Sequence, residues 1–286
     1  MDTVSLWFIW DVTALLSKAD LVTIFELDNL AWQSMAGEHI PQSDVVRFKL
    51  DVSVTKRKNA IAFTYSSSAA TKKIQKKMFR VCTNLFIGSG IQLHGKEKAA
   101  NTIKKIIAVD YAENMEMHDV ANFDSYFPNF WPRFVSCLIV RKCRFNSNTT
   151  FSHWMSRILR ARCLEQLEIC DISLEKESGE DFEDEILDSL LDGDSLIDVK
   201  ISGNENFMNL SPEFLDRLVL GWSECEEGFE KPVDVSMALD RYEFRAVRKK
   251  YFKHRKRLRH PSTSHILYYE EALGYSDVTF RFRSGN

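Results

Sequence analysis

The stretch Leu164-Glu165-Gln166-Leu167-Glu168-Ile169-Cys170-Asp171-Ile172 decides the fold of this chain. Leu167 and Ile169 alternate with polar residues, as in a short strand that buries one face. Helical runs precede and follow it, at Phe151–Arg162 and Phe182–Leu191. A buried strand between two helices favours a mixed α/β fold.

The same order of helix and strand recurs along the chain, roughly every thirty residues, when it is aligned on Ile106, Leu138, Leu167 and Val199. The other predicted helices are Ala70–Val81, Lys96–Lys105 and Phe123–Phe134. The other predicted strands are Asn84–Gly88, Ile106–Asp110, Cys137–Cys143 and Leu196–Asn204. Such a period predicts a stacked helix–strand array.

The spacing Leu164-x-x-Leu167-x-Ile169-Cys170-x-Ile172 resembles that of a leucine-rich repeat. The unit from Leu196 to Asn204 has the same form, and Asn204 stands near the asparagine position of such repeats. The resemblance implies a curved α/β array whose strands share one core beneath covering helices. Another α/β or α+β layering would also fit the alternation of helix and strand.

Further elements flank the repeats. Alternation in Val45–Val54 and Ala60–Tyr65 predicts a β-hairpin that connects at Lys56–Asn59. After the repeats, Ser211 and Pro212 are typical of a helix start, and this helix is expected to run to about Ser223. The sequence next predicts an acidic loop over 224–237 and a basic amphipathic helix over 239–258. Two strands are predicted within 265–283, where they would cap the open edge of the array.

The N-terminal residues 1–40 show apolar residues at helical spacing. Val12, Leu15-Leu16, Asp20-Leu21 and Leu27-x-x-Leu30-x-Trp32 resemble an F-box, although Trp7 follows Leu6 where that family usually has proline. The whole layout resembles divergent nematode F-box proteins. We therefore expect an F-box-like module at 1–40, a hairpin connector at 41–68 and a leucine-rich-repeat-like body at 69–286.

The resemblance implies a function. F-box proteins bind a Skp1-type adaptor and recruit protein substrates to a cullin–RING ubiquitin ligase, and here the repeat body would bind the target. Apolar side chains would contact the adaptor: Leu6, Trp7, Val12, Leu15, Leu16, Leu21, Ile24 and Leu30. Alternatively, these side chains pack on the hairpin at 45–65, or they bind another protein, as in a scaffold or an antagonist.

Charge is distributed unevenly, although the net charge is only −3. Thirteen acidic residues and one base fall between Glu165 and Asp194, and ten bases and one acid between Arg241 and Arg259. The basic run interleaves with aromatic residues, a composition that can bind nucleic-acid phosphates and bases. The candidate contacts are Arg245, Arg248, Lys249, Lys250, Lys253, Arg255, Lys256 and Arg257.

Other interpretations of the basic run remain open. Tyr242, Val247 and Tyr251 lie at roughly helical spacing, so they predict an inward stripe with the bases turned to solvent. An acidic protein could instead meet the bases, or the acidic run of the same chain could do so. A nuclear-localisation role is a further alternative.

The sequence has no motif of nucleotide binding, serine hydrolysis or zinc proteolysis. Its six cysteines form no CxxC pair, and they predict small buried side chains in a reducing compartment. The dense carboxylates of 180–185 predict a helix N-terminus and no calcium loop. We expect no enzyme activity, cofactor, metal or membrane span, and we expect a cytoplasmic or nuclear protein.

Overall fold

The computed structural model describes residues 45–57, 60–69, 79–89, 109–121, 123, 131–145, 148–161, 163–175, 182–191, 196–253, 255–271 and 277–284. They form a mixed α/β chain with two compact units. The first unit is Met1–Glu116 with Phe127–Val135, and the second is Met117–Tyr126 with Ser136–Asn286. The predicted module at 1–40 lies outside the described residues, and the predicted boundaries at 40 and 68 stay predictions.

The first unit contains the predicted hairpin. Strand β1 (Val45–Arg57) pairs antiparallel with β2 (Ala60–Ser67), and Arg57 lies opposite Ala60. Strand β3 (Phe79–Ser89) runs parallel to β1 on its other side, and β4 (Tyr111–His118) adjoins β3. Alternate side chains of β1 are buried, from Val46 to Val54, as its apolar pattern predicts.

The prediction of a helix over Ala70–Val81 is wrong at its C-terminal end, because Phe79 already begins β3. Pairing with β1 in a parallel ladder overrides the local helical pattern there. The helix predicted over Phe123–Phe134 is also wrong at its end. Trp131–Arg133 is not helical, and Phe134 begins a strand.

The strand predicted over Ile106–Asp110 is wrong at its end, and its first three residues lie outside the described residues. Val109 and Asp110 precede the strand, which begins at Tyr111. Sequence reasoning missed β4 because its buried residues do not alternate regularly: Ala112 and Met115 are three positions apart.

The second unit repeats one order of elements. Its elements as far as β10 are β5 (Phe134–Arg141, whose first two residues fall in the first unit), β6 (Arg144–Phe145), α1 (Asn148–Arg160), β7 (Gln166–Cys170), β8 (Ser173–Leu174), α2 (Glu183–Leu191), β9 (Asp198–Ser202), α3 (Pro212–Glu224) and β10 (Val233–Ala238). Strands β5, β7, β9 and β10 are adjacent and parallel. Leu138, Leu167 and Val199 lie opposite one another, which confirms their alignment in the sequence. Ile106 lies outside the described residues.

The same turn follows four successive strands. The residue after each strand has a left-handed backbone, with φ of 53° at Asp119, 52° at Lys142, 56° at Asp171 and 68° at Gly203. The N–H of Asp119 donates to the carbonyl of Arg141 (3.1 Å), that of Lys142 to Cys170 (3.0 Å) and that of Asp171 to Ser202 (3.0 Å). Each of the first three turns is therefore bonded to the end of the next strand.

Asn204 joins two repeats through its side chain. Its Oδ1 accepts from the Ile172 N–H at 3.0 Å, and its Nδ2 donates to the carbonyls of Ile169 (3.2 Å) and Met208 (3.1 Å). An amide is suited to this position because it both donates and accepts.

The helix starting at Pro212 is confirmed. Ser211 is its N-cap, and its Oγ accepts from the Phe214 N–H at 3.0 Å. The acidic loop predicted over 224–237 is wrong at its end. Val233, Val235 and Met237 alternate with half-buried residues and form the buried side of β10.

Three antiparallel strands complete the sheet of the second unit, β11 (Arg257–Arg259), β12 (Ile266–Glu271) and β13 (Asp277–Arg283). Their order from the parallel strands is β10-β13-β12-β11. The two strands predicted within 265–283 are thus confirmed, and they lie at the edge of the parallel strands.

The basic helix predicted over 239–258 is correct only over Arg241–Phe252 and ends earlier than expected. Helix α4 covers only Arg241–Val247, begins at a capping box of Asp240 and Glu243, and continues as a π-helical turn over Arg248–Phe252. Lys253 then has φ of 37° and ends the helical path. None of the helices that the structure describes has the length and apolarity needed to cross a lipid bilayer.

The inward stripe predicted for this helix is only partly correct. Val247 is buried, but Tyr242 is 78% exposed. The rings of Phe244 and Phe252 pack on Tyr269 instead, with centroids 5.4 Å and 4.8 Å away. The π-helical turn changes the spacing of inward positions, so a pattern based on an α-helix selects the wrong aromatic residues.

Candidate functional site

One face of the sheet in the second unit is polar. Side chains of β7, β9, β10 and β13 form two rows that cross the strands. The first row is Gln166, Asp198, Asp234 and Arg281, and the second is Glu168, Lys200, Ser236 and Thr279. The residues between them, such as Leu167 and Val199, are buried on the other face.

The helices lie on that other face. The ring of Phe282 on β13 packs against Trp222 of α3, with the ring centroids 5.4 Å apart, and against Phe229, with the centroids 5.1 Å apart. Apolar side chains therefore form the core on the helix side, while the polar rows face away from it.

The eight residues of the two rows line a cavity of about 220 Å³. All eight belong to strands, so paired backbone holds its walls in place. Side chains on strands are held more precisely than side chains on loops, which suits a binding site. We call this cavity with its two rows the polar face.

Glu168 is held by two bases. Arg141 donates to both of its carboxylate oxygens, with Nε 2.8 Å from Oε1, and Lys200 Nζ lies 3.6 Å from Oε1. Burial acts to raise the pKa of the Glu168 carboxyl. The hydrogen bonds and charge of Arg141 and the charge of Lys200 outweigh burial and lower this pKa below its ordinary value.

Asp234 is also paired with two bases. Arg281 Nη1 lies 2.9 Å from its Oδ2, and Arg283 contacts its Oδ1. Arg281 Nε also donates to Glu270 Oε2 at 3.0 Å. Both outer carboxylates of the polar face are thus neutralised by the chain itself.

Asp198 lies between these two carboxylates and is held differently. Its Oδ2 accepts from Gln166 Nε2 at 3.2 Å, and no basic side chain within the described ranges lies within 4.0 Å of it. Burial raises the pKa of the Asp198 carboxyl, and the charges of Asp234 and Glu168 raise it further, while the more distant charges of Arg281 and Lys200 act in the opposite direction without outweighing them. The middle of the polar face therefore holds a carboxyl group that makes no close ion pair with the described bases.

The thiols near the polar face are not activated. Burial raises the pKa of both Cys170 and Cys137 above the ordinary value. A raised pKa keeps a thiol protonated and poorly nucleophilic. Elsewhere, burial raises the pKa of Cys82 and of Cys143 to about 12.

All eight basic residues predicted as nucleic-acid contacts are exposed. Lys250 Nζ lies 2.6 Å from Asp216 Oδ2, and this hydrogen bond raises the pKa of the Lys250 ammonium. The predicted pairing with the acidic run is not seen among the described residues. Glu183 and Asp184 instead contact Arg217, and Glu185 contacts Arg160.

The eight predicted adaptor contacts, from Leu6 to Leu30, lie outside the described residues. Across the described ranges, His, Cys, Asp and Glu do not gather into any group of three that could hold a metal ion. Sequence reasoning did not select the polar face as a site. The available signal was the alternation of Gln166 and Glu168 with Leu167 and Ile169, repeated at Asp198 and Lys200.

Comparison of the chain with protein-family models gave no match, and comparisons with curated proteins and with solved structures gave none either.

Proposed function

We propose that this chain is a non-catalytic recognition protein. It binds a target protein on the polar face, and its F-box-like N-terminal residues attach it to a Skp1-type adaptor of a cullin–RING ubiquitin ligase. The observation that carries the proposal is the unneutralised Asp198 at the centre of a rigid cavity.

An ionised group without a close partner costs stability unless something else provides the opposite charge. A lysine or arginine side chain of a target protein would pair with Asp198 and with the amide of Gln166. The bases that surround Glu168 and Asp234 would repel a second positive charge placed beside the first. The polar face therefore favours a target that presents one basic side chain with acidic or neutral neighbours.

The regular architecture supports a repeat of the leucine-rich type. Left-handed residues end successive strands, and the Asn204 side chain bonds to the backbone of the preceding repeat. Parallel arrays of this kind present their strand face to protein ligands.

The adaptor part of the proposal rests on the sequence resemblance over Leu6–Trp32. Its test is titration of the purified full chain with a purified Skp1-type adaptor by calorimetry. We expect a complex at micromolar concentration and its loss in the double variant Leu15→Asp, Leu16→Asp. Asp198→Asn serves as the control and should leave adaptor binding intact. No complex with the unmodified chain would refute this part.

The polar face is tested with displayed random peptides selected on the full chain. We expect the selected peptides to contain a lysine or arginine whose replacement by glutamate abolishes binding to the full chain. Their affinity should fall by about tenfold or more in Asp198→Asn, the cost of losing a close charge pair. Glu226→Gln removes the same charge from an exposed loop and should have no effect. Equal affinities for all three proteins would refute the assignment.

A scaffold or antagonist is the alternative function, in which the N-terminal helices bind another protein. Peptide binding that depends on Asp198, without any adaptor complex, would favour this alternative.

A further inference from the structure

The exposed bases between Arg241 and Arg259 form a second surface, which the proposed function does not use. Ten basic residues occur there, and all ten are exposed. The acid of this segment, Glu243, is engaged in the capping box, where its Oε2 accepts from the Asp240 N–H at 2.8 Å. We call these residues the basic surface.

The backbone gathers these bases together. The π-helical turn and the left-handed Lys253 reverse the chain, and the Arg255 N–H donates back to the Phe252 carbonyl at 2.6 Å. The following strand β11 contacts the π-helical turn. Arg257 and Arg259 flank Leu258, which lies opposite Leu267 of β12, so the two guanidinium groups project to one side of the strand.

The charge of the basic surface is almost entirely unneutralised. Lys250 pairs with Asp216. No carboxylate within the described part of the chain lies within 4.0 Å of the other nine bases. The guanidinium of Arg248 stacks instead over the rings of Phe244 and Tyr269, at 5.6 Å and 5.8 Å from their centroids.

An exposed aromatic ring accompanies this charge. Tyr242 is 78% exposed, whereas the neighbouring Phe244 and Phe252 pack inward on Tyr269. Arg245, three positions after Tyr242, lies on the same side of helix α4. A ring held beside bases can stack on an unpaired nucleobase while the bases contact phosphates.

We propose that the basic surface binds single-stranded nucleic acid, through its phosphate backbone and through stacking of a base on Tyr242. Single-stranded nucleic acid matches this surface better than an acidic protein does, because it supplies both phosphates for the bases and an unpaired base that can stack on the exposed ring of Tyr242. A phosphate backbone needs only positive charge along its path.

The test measures binding of fluorescent oligo-uridine and oligo-thymidine to the full chain by anisotropy, over a series of salt concentrations. The double variant Lys249→Glu, Lys253→Glu should bind at least about tenfold more weakly. Its slope of log affinity against log salt should be smaller by about 1.4, because each lost phosphate contact on a single strand removes about 0.7. Lys250 is left unchanged because Asp216 already neutralises much of its charge, so it is expected to contribute less to phosphate binding.

The matched control is Arg47→Glu with Arg160→Glu, which makes the same change of net charge at two exposed sites elsewhere. Its affinity should stay within about twofold of the unmodified chain, since surface pairs such as those of Arg47 and Arg160 contribute little to stability. Tyr242→Ala should weaken binding by about fivefold or more at an unchanged salt slope. The milder double variant Lys249→Gln, Lys253→Gln repeats the test if the charge reversal unfolds the chain.

Several outcomes would overturn the proposal. The first is an affinity that does not change in the Lys249 and Lys253 variants, and the second is an equal loss in the Arg47 and Arg160 control. An unchanged affinity in Tyr242→Ala would reject stacking and hence the single-strand assignment. Equal or tighter binding of poly-glutamate would identify an acidic protein as the ligand instead.

Discussion

Two carboxylates on the polar face, Glu168 and Asp198, have pKa values that are shifted in opposite directions. Glu168 is buried and Asp198 is half-buried on the adjacent strand, so burial, which acts to raise both pKa values, does not explain the difference. Glu168 has Arg141 and Lys200 within ion-pair distance, whereas Asp198 has the neutral amide of Gln166. Neighbouring charge therefore determines which of the two carboxylates contributes to stability.

Asp198→Asn should stabilise the folded chain at neutral pH. The folded protein raises the pKa of Asp198 above its ordinary value of 3.8, so the ionised form is favoured in the unfolded chain. The amide removes this cost while it keeps the shape of the side chain. We expect the free energy of unfolding in urea to rise by about 0.5–2 kcal/mol, the usual gain from optimising surface charge.

The pH dependence gives this prediction its control. The gain should be complete above the raised pKa of Asp198 and should vanish as pH falls below 3.8, because the protonated carboxyl is then as neutral as the amide. An equal gain at every pH would assign the effect to packing rather than to charge.

Glu168→Gln should have the opposite effect. The folded protein lowers the pKa of Glu168 below 4.5, so its ion pairs stabilise the fold above that pH and are lost as pH falls through the lowered value. We expect a loss of about 1–2 kcal/mol at neutral pH, because charged hydrogen bonds contribute more than neutral ones but partial exposure screens them. Urea unfolding against pH measures this loss, and a deficit that grows in acid would contradict the sign.

At the scale of elements, the left-handed turn is the feature that makes the strands equivalent. At Asp119, Lys142 and Asp171 it places an N–H donor opposite the last carbonyl of the next strand. Asp119 and Asp171 tolerate this backbone better than most residues, and Gly203 tolerates it without cost. Lys142 adopts the same conformation without such a preference.

Gly203→Ala should therefore destabilise the second unit. Alanine would be strained at φ of 68°, and its Cβ would lie 2.4 Å from Asp171 Oδ1. We expect a loss of about 1–3 kcal/mol in thermal or urea unfolding. Lys142→Gly is the matched variant at the equivalent turn and should be neutral or slightly stabilising. If Gly203→Ala and Lys142→Gly both lowered the free energy of unfolding, or both raised it, the role given to the left-handed backbone would be contradicted.

The elements that could be predicted from the sequence share one property, a regular local pattern. Leu138, Leu167 and Val199 mark strands whose alternation is clear, and Ser211 with Pro212 marks a helix start. The missed elements lack such a pattern. Strand β4 buries Ala112 and Met115 three positions apart, and the π-helical turn after Val247 cannot be read from apolar spacing.

Part of the candidate site could have been predicted too. The outward positions of Gln166 and Glu168 follow from strand alternation alone. The ion pairs of the polar face do not follow from alternation. Arg141 meets Glu168, and Arg283 meets Asp234, only through the order of strands, because each base is distant in sequence from its acid. The unneutralised state of Asp198 depends on that order as well.

At the scale of the molecule, the second unit changes from parallel to antiparallel pairing after β10. Strand β13 covers the edge of β10 and contributes Phe280 and Phe282 to the core. The sheet then ends in β11, which has only three residues. A short, charged edge strand gives a second molecule little backbone to pair with.

Deletion of Ile266–Asn286 should make the chain insoluble. It removes β12 and β13, exposes the backbone edge of β10 and leaves Trp222 and Phe229 without the ring of Phe282. Loss of two buried phenylalanines costs about 6–10 kcal/mol, which is comparable to the whole stability of a domain. Light scattering and the soluble fraction measure the effect.

The control for this deletion is removal of residues 284–286 alone, which leaves β13 intact and should preserve solubility. A soluble, cooperatively folded chain without β12 and β13 would show that the parallel strands do not need this edge.

The turn that follows each strand also bears on how such a chain could change in evolution. The donor of one turn meets the acceptor of the next, so a gene duplication that copies one whole period, from just after Lys142 through Asp171, would insert a unit with matching bonds on both sides. The existing periods differ in length, with 23, 29 and 32 residues between successive left-handed residues, so a copied unit must keep its strand and its turn rather than a fixed number of residues. The array can thus lengthen or shorten by whole periods, and each change adds or removes one pair of outward side chains from the polar side of the sheet.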